Sequence, residues 1–242
     1  MSFFGLFGNK KPTQKQISKH VEKIRQQYAQ TDYRRASMEK LLEWNTKESI
    51  AGVLKRFSVV VQSPHFDEEE KSWLSAEITK KGELAKEAIR DFLLVSNDVS
   101  YPIRSLAEIC GRHELVLILK ESLKNRNPDD YRGSLAKIDF INALARYSDS
   151  FSGEEVLPYL DDHNDDVKCR AISTLLEKKV SIADDKFVEM LFEDIHSARV
   201  LRHVGAAVSE KKLSLPDKRE LQPSVLEDFH IKQGVLKANR SK

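Results

Sequence analysis

Six consecutive residues, Asp161-Asp162-His163-Asn164-Asp165-Asp166, crowd oxygen-bearing side chains into one short stretch. The chemistry that composition suggests is Ca²⁺ coordination, because a hard cation takes carboxylate and carbonyl oxygens. The spacing does not supply the rest. A calcium loop opening at Asp162 would need glycine at 167 and glutamate at 173, where the chain has Val167 and Ser173. The run is therefore read as a solvated turn that caps the helix after it. Seven histidines (His20, His65, His113, His163, His196, His203 and His230) include no pair at i, i+4, the spacing of a helical zinc hydrolase site; His196 and His203 share a helix face at i+7. Ser-x-x-Lys occurs at Ser37–Lys40, Ser134–Lys137 and Ser209–Lys212, without the Ser-Asp-Asn or Lys-Thr-Gly partners that acyl transfer requires. Glycine-rich phosphate loops are absent, and Cys110 and Cys169 stand apart with no Cys-x-x-Cys. No catalytic, cofactor-binding or metal-binding residue is assigned, and the expectation is a protein that is not an enzyme.

The elements that must position these residues are helices. The 242-residue chain has 9 glycines, 7 prolines and 32% charged residues, a balance that disfavours a β-sandwich or barrel and favours long helices. Ile17, Val21, Ile24 and Tyr28 form one apolar stripe. Asp32 can cap a second helix with Ala36, Leu41 and Leu42 inward; Asn45-Thr46 breaks and recaps before a helix from Lys47 to about Val61. Asp67 caps a helix that ends at Gly82, and the next runs from Glu83 to Val95. Pro102 sits in the first turn of a helix to Cys110, answered by Glu114 to Leu123. Further helices are expected from Gly133 to Tyr147, briefly to Leu160, after Asp165-Asp166, around Phe187 to Phe192, and from Ser197 to Val208. Residues 228–236 read as an extended or hairpin-like stretch. Three segments follow: an apolar and basic N-terminal segment at 1–15, a helical region at 16–208, and a partly extended tail at 209–242.

Charge and hydropathy narrow the setting. The overall charge of +2 divides into a local +5 over residues 1–30 and +4 over 231–242, which leaves −7 for the body between them. No stretch nears the roughly eighteen uncharged apolar residues that cross a bilayer, and residues 1–11 place their apolar group before the lysines, the reverse of a secretory signal. Two isolated cysteines fit a reducing cytoplasm.

Paired helices recurring every thirty to forty residues suggest stacked hairpins, and here a family pattern appears. Asp166-Val167-Lys168-x-x-Ala171-x-x-x-Leu175, preceded by Leu157-Pro158-Tyr159-Leu160, resembles the HEAT repeat. Weaker copies stand at Asp98-Val99 with Pro102-Ile103-Arg104 and Ala107, and at Asp32 with Arg35, Ala36 and Leu41; a shifted one spans Asp194 to Val208, with Arg199 and Arg202. The chain is thus similar to bacterial HEAT-repeat, armadillo-like domain proteins. The resemblance implies an all-α fold, an α-solenoid of stacked antiparallel hairpins. It implies an Asp/Arg ladder from Asp166, Lys168, Asp98, Arg104, Asp32 and Arg35, and a scaffold or adaptor that binds another protein on its concave face. The alternative it carries is a nucleic-acid-binding or alkylpurine-DNA-glycosylase-like protein, for which Trp44 and Trp73 would be the aromatic residues.

Two candidate contact sites follow. Lys55-Arg56-Phe57, placed on a second helix, faces a partner or solvent. Phe3, Phe4, Leu6 and Phe7 dock on a partner, pack on the first hairpin, or insert weakly into a membrane surface beside Lys10, Lys11 and Lys15.

Overall fold

Thr13 opens the first helix, α1 (Gln14–Ile24), through reciprocal hydrogen bonds: its hydroxyl accepts from the Gln16 N–H at 3.3 Å, and Gln16 Oε1 accepts from the Thr13 N–H at 2.8 Å. The computed structural model describes residues 11–216 and 220–239. Ile17, Val21 and Ile24 are buried along α1, but Tyr28 is 87% exposed, because the helix ends at Arg25 before the stripe reaches it. A turn leads to α2 (Thr31–Trp44), which stops where Asn45 takes a left-handed conformation, φ 50°. Thr46 and Ser49 then cap one another at the start of α3 (Lys47–Leu54).

The expected helix to Val61 ends at Leu54, because Arg56 is turned inward. Its guanidinium donates to the Val59 carbonyl at 2.8 Å, to Asp67 at 2.8 Å and to Glu70 at 3.2 Å. Next comes α4 (Pro64–Thr79), with proline in its first turn where the missing N–H costs nothing. Gly82, at φ 56°, makes the tight turn into α5 (Glu83–Val95). The order continues with α6 (Ser100–Ile109), α7 (Arg112–Lys124), α8 (Ser134–Tyr147), a 3₁₀ turn (Leu157–Asp161), α9 (Asp165–Glu177), α10 (Asp184–Met190), α11 (Ala198–Lys211) and α12 (Pro223–Asp228). Two strands, β1 (Phe229–Lys232) and β2 (Val235–Ala238), complete the described residues, which are therefore mostly helical. None of their helices is long and apolar enough to cross a membrane.

The chain divides into two compact units, the first ending at Ile118 and the second beginning at Leu119. In the first, α1, α3 and α5 pack in one row and α2, α4 and α6 in another, with α1 against α2, α2 against α3, and α5 against α6 joining the rows. Leu41, Ile50, Leu54, Leu74, Ile78, Ile89 and Leu106 are fully buried between them. Each such side chain contributes about 1.5–3 kcal/mol of transfer free energy.

In the second unit α9 lies between α8 and α11, while the 3₁₀ turn packs on α9 and α10 packs on α11. Residues 229–238 pair as an antiparallel hairpin, Phe229 opposite Ala238 and Lys232 opposite Val235. Gln233 and Gly234, both at positive φ, close it as a type I′ turn closes a two-residue loop. This end of the chain is packed: Val225, Phe229 and Leu236 are buried, and α12 and β2 both contact α11. Gly205 of α11 allows that approach, since a Cβ there would stand 2.6 Å from the Phe229 ring.

One buried network crosses the first unit. Arg34 on α2 donates to both Glu70 oxygens, at 3.1 and 2.8 Å, and to the Ala29 carbonyl. Arg56 grips Glu70 from the other side, and Asp67 bridges Arg56 to Lys71 at 2.8 and 2.7 Å. Arg34 and Glu70 are 2% exposed and Arg56 is wholly buried. Phe57 is buried beside it, stacked on Tyr101 at 5.6 Å. Arg56 and Phe57 thus belong to the interior, and the triplet expected as a docking surface leaves only Lys55 exposed.

Burial alone would push the Glu70 carboxyl up, but hydrogen bonds and charge from Arg34 and Arg56 reverse this and hold it below its ordinary 4.5. Asp67 is lowered in the same way, burial being outweighed by Lys71 and Arg56. A carboxyl whose folded pKa is depressed stabilises the fold above its unfolded pKa and loses that contribution as the pH falls through the folded value. The urea midpoint is therefore expected to be level near neutral pH and to fall below about pH 4.5, with a shallower fall in Glu70→Ala. Glu70→Ala should also destabilise by about 3–5 kcal/mol in denaturant titrations, against under about 0.5 kcal/mol for exposed Glu69→Ala.

Candidate functional site

The acidic run at 161–166 spreads its side chains rather than gathering them. Asp162 points inward to Lys137, 2.6 Å away, and both are almost wholly buried; Lys137 also donates to the Asp130 carbonyl at 2.7 Å. Asn164 caps α9, accepting from the N–H groups of Asp166 and Val167 at 2.8 and 3.3 Å. Asp161 meets Lys186 at 3.1 Å and Asp166 meets Arg199 at 2.7 Å. Among the described residues no group of three histidine, cysteine or acidic side chains is placed to hold a metal ion.

From that cap, α9 turns Val167, Ala171, Ile172 and Leu175 into the core. Asp166, Arg170 and Ser173, at i, i+4 and i+7, come out on the opposite face. On neighbouring α11, Arg199 and His203 at i, i+4 turn toward the same place, and Ile138 reaches it from α8. Together with Cys169 these residues line a cleft of about 290 Å³. Arg170 has no hydrogen-bond or ion-pair partner among the described residues. Its neighbour Arg199 is half-exposed and bonded to Asp166, a contact that raises the guanidinium's pKa further. His203 Nδ1 lies 3.0 Å from the Arg199 carbonyl oxygen, a contact only a protonated Nδ1 makes, so Nε2 is the free ring nitrogen. Burial pushes the Cys169 thiol up, which keeps it protonated and poorly nucleophilic. The set offers cations, a hydroxyl and an apolar floor, the equipment of anion recognition.

A larger cleft, about 440 Å³, opens in the first unit beside Gln30, Asp32, Arg35, Phe66, Glu69 and Glu70. Its cationic group is already engaged: the Arg35 guanidinium lies 3.1 Å from the Trp73 ring centroid and bonds Glu39 at 3.1 Å. Glu70 is held by Arg34 and Arg56.

The other residues singled out by sequence are dispersed. His196 is buried between Glu193, at 2.6 Å, and Lys168, at 3.5 Å, so it does not share a site with His203. Lys137 is committed to Asp162 while Ser134 donates to the Tyr131 carbonyl, so that Ser-x-x-Lys copy makes no catalytic pair. Trp44 meets His20 edge-on and Trp73 is covered by Arg35, so each tryptophan has a partner within its own unit. Of the implied ladder, Asp166 reaches Arg199 on α11, whereas Arg104 lies against the Tyr101 ring and Lys168 faces His196. Phe3, Phe4, Leu6 and Phe7 lie outside the described residues. Sequence reading missed Arg170 as a site residue; its signal was the i, i+4, i+7 spacing of Asp166, Arg170 and Ser173, which needs the adjacency of α9 and α11 to acquire meaning.

Comparison of the chain with family models, with curated proteins and with solved structures finds no match.

The Asp166–Arg199 pair is solvent-exposed, and such pairs contribute little to stability. Arg199→Ala and Arg170→Ala are therefore expected to shift the thermal midpoint, followed by circular dichroism, by no more than about 4 °C.

Proposed function

We propose that the chain is a non-enzymatic, HEAT-like α-solenoid module, a scaffold or adaptor that binds another protein on a helical face. The observation that carries this reading is the cleft of α8, α9 and α11, where Arg170, without a partner among the described residues, stands beside Arg199 and His203. The alternating rows of α1, α3, α5 and α2, α4, α6 lend further support, since stacked hairpins pack in that manner. Such a stack buries one side of each helix and leaves the other to build an extended binding surface. Nucleic-acid binding is the competing reading, and it makes a different demand: several phosphate contacts and a steep salt dependence.

The test is affinity capture from native lysate with the wild-type chain and with Arg170→Glu/Arg199→Glu, followed by reconstitution with the purified partner. A stoichiometric protein that survives nuclease treatment, binds the wild type directly, and is lost in the double variant is the expected result. Capture abolished by nuclease, with affinity for DNA or RNA falling about tenfold or more between 50 and 200 mM salt, would overturn the reading.

A further inference from the structure

We propose that the cleft between α9 and α11 recognises a phosphorylated serine or threonine side chain of the partner protein. The inference rests on the protein-binding reading above and deepens it by naming the group that is bound.

Four observations lead there. Arg170 is half-buried and has no acceptor among the described residues for its five guanidinium donors. Arg199, across the cleft, already holds an oxyanion, the Asp166 carboxylate at 2.7 Å, which shows that this spot accommodates one. Asp166 is 63% exposed and can swing into water when displaced. Ser173 adds a hydroxyl donor, while Ile138 and Cys169 form an apolar floor suited to a short alkyl stem.

Charge decides between the anions. The charged lining residues Asp166, Arg170 and Arg199 sum to +1. An incoming carboxylate carries one charge and two oxygens; at Arg199 it merely exchanges with Asp166. A phosphomonoester carries about −1.5 to −2 and three oxygens, enough to bridge both guanidiniums and to outcompete the resident carboxylate. Size points the same way. At about 290 Å³ the cleft falls just below the range of drug-sized ligand pockets and fits a single side chain better than a nucleotide or a whole helix.

Asp166 thus acts as an internal competitor, and that gives the proposal a signature a general basic patch would not have. Removing it should strengthen binding, although the change is on the opposite side of the contact from the arginine that gains. The experiment uses the full chain and three fluorescent peptide pools with randomised flanks, centred on phosphoserine, on aspartate and on unmodified serine. Anisotropy is expected to show binding to the phosphoserine pool at least about tenfold tighter than to the aspartate pool. Arg170→Ala should weaken it about tenfold or more, Arg170→Lys should recover only part, since the bidentate fork is lost, and Asp166→Asn should tighten it several-fold. Inorganic phosphate at millimolar concentration should compete and should shift the backbone amide resonances of α9 and α11. Circular dichroism of each variant keeps a folding defect from passing as a binding defect.

Equal affinity for the phosphoserine and aspartate pools overturns the proposal in favour of a general acidic segment. Binding to phosphoinositide-containing vesicles, with none to the phosphoserine pool, overturns it in favour of a lipid headgroup. Unchanged binding in both Arg170→Ala and Asp166→Asn removes the cleft from the explanation. Phosphatase treatment of the lysate separates this inference from the one beneath it. A partner that is still captured after dephosphorylation, yet lost in Arg170→Glu/Arg199→Glu, sinks the phosphate inference and leaves protein binding standing.

Discussion

Glu70, held between Arg34 and Arg56, is the contact on which the first unit depends. A carboxylate brought into an apolar interior has to be compensated almost completely, and here two guanidiniums from different elements do so. The arrangement extends outward from there. Arg34 spends its remaining donors on the carbonyls of Gln26 and Ala29, pinning the turn between α1 and α2. Arg56 uses the Val59 carbonyl and Asp67, pinning the segment between α3 and α4. Two connections that would otherwise be plain surface loops are thereby tied to one buried anion. Such a network specifies geometry more than it adds stability: apolar packing could replace its energy, but not the way it dictates where each turn must sit.

The same device recurs in the second unit on a smaller scale. Lys137 and Asp162 meet inside, and the lysine's other donors reach the Pro128 and Asp130 carbonyls, so the loop before α8 and the loop before α9 are joined through one ion pair. A chain that is 32% charged does not keep all of those charges in water. Several of them are interior fasteners, and the solvated total is smaller than composition suggests.

That distinction marks the boundary of what the sequence reveals. Elements governed by neighbours were legible: the stripe Ile17, Val21, Ile24, the break and recap at Asn45-Thr46, the glycine turn at 82, the helix Glu83–Val95, and, without its turn being located, the extended or hairpin-like stretch at 228–236. Each depends on residues within a turn or two, which is the range over which caps, stripes and turns operate. Arg56 was illegible because its fate is decided by Glu70, 14 residues away, and Arg34 by the same residue at a separation of 36. A Lys-Arg-Phe triplet reads as surface until its acidic partners are located. Tyr28 failed for a related reason: the periodic stripe continues through it, but the helix does not. In the cleft, Asp166 and Arg170 are visible as one helix face, whereas Arg199 joins them only when α9 and α11 are known to be neighbours.

α11 carries two loads on different sides. Arg199 and His203 help to shape the cleft, while Gly205 receives the Phe229 ring, and Arg202 is tied to Asp228 at 2.7 Å. The stretch that reads in sequence as an appendage therefore serves as a buttress: helix α12 and the strand pair press on the rod that holds one wall of the cleft. Any process that peels this buttress away, whether proteolytic trimming or a bulky residue in place of Gly205, would slacken that wall without touching a single lining side chain. The wall of the cleft thus rests on a small β element roughly thirty residues downstream, whose own two strands have too little surface to stand alone.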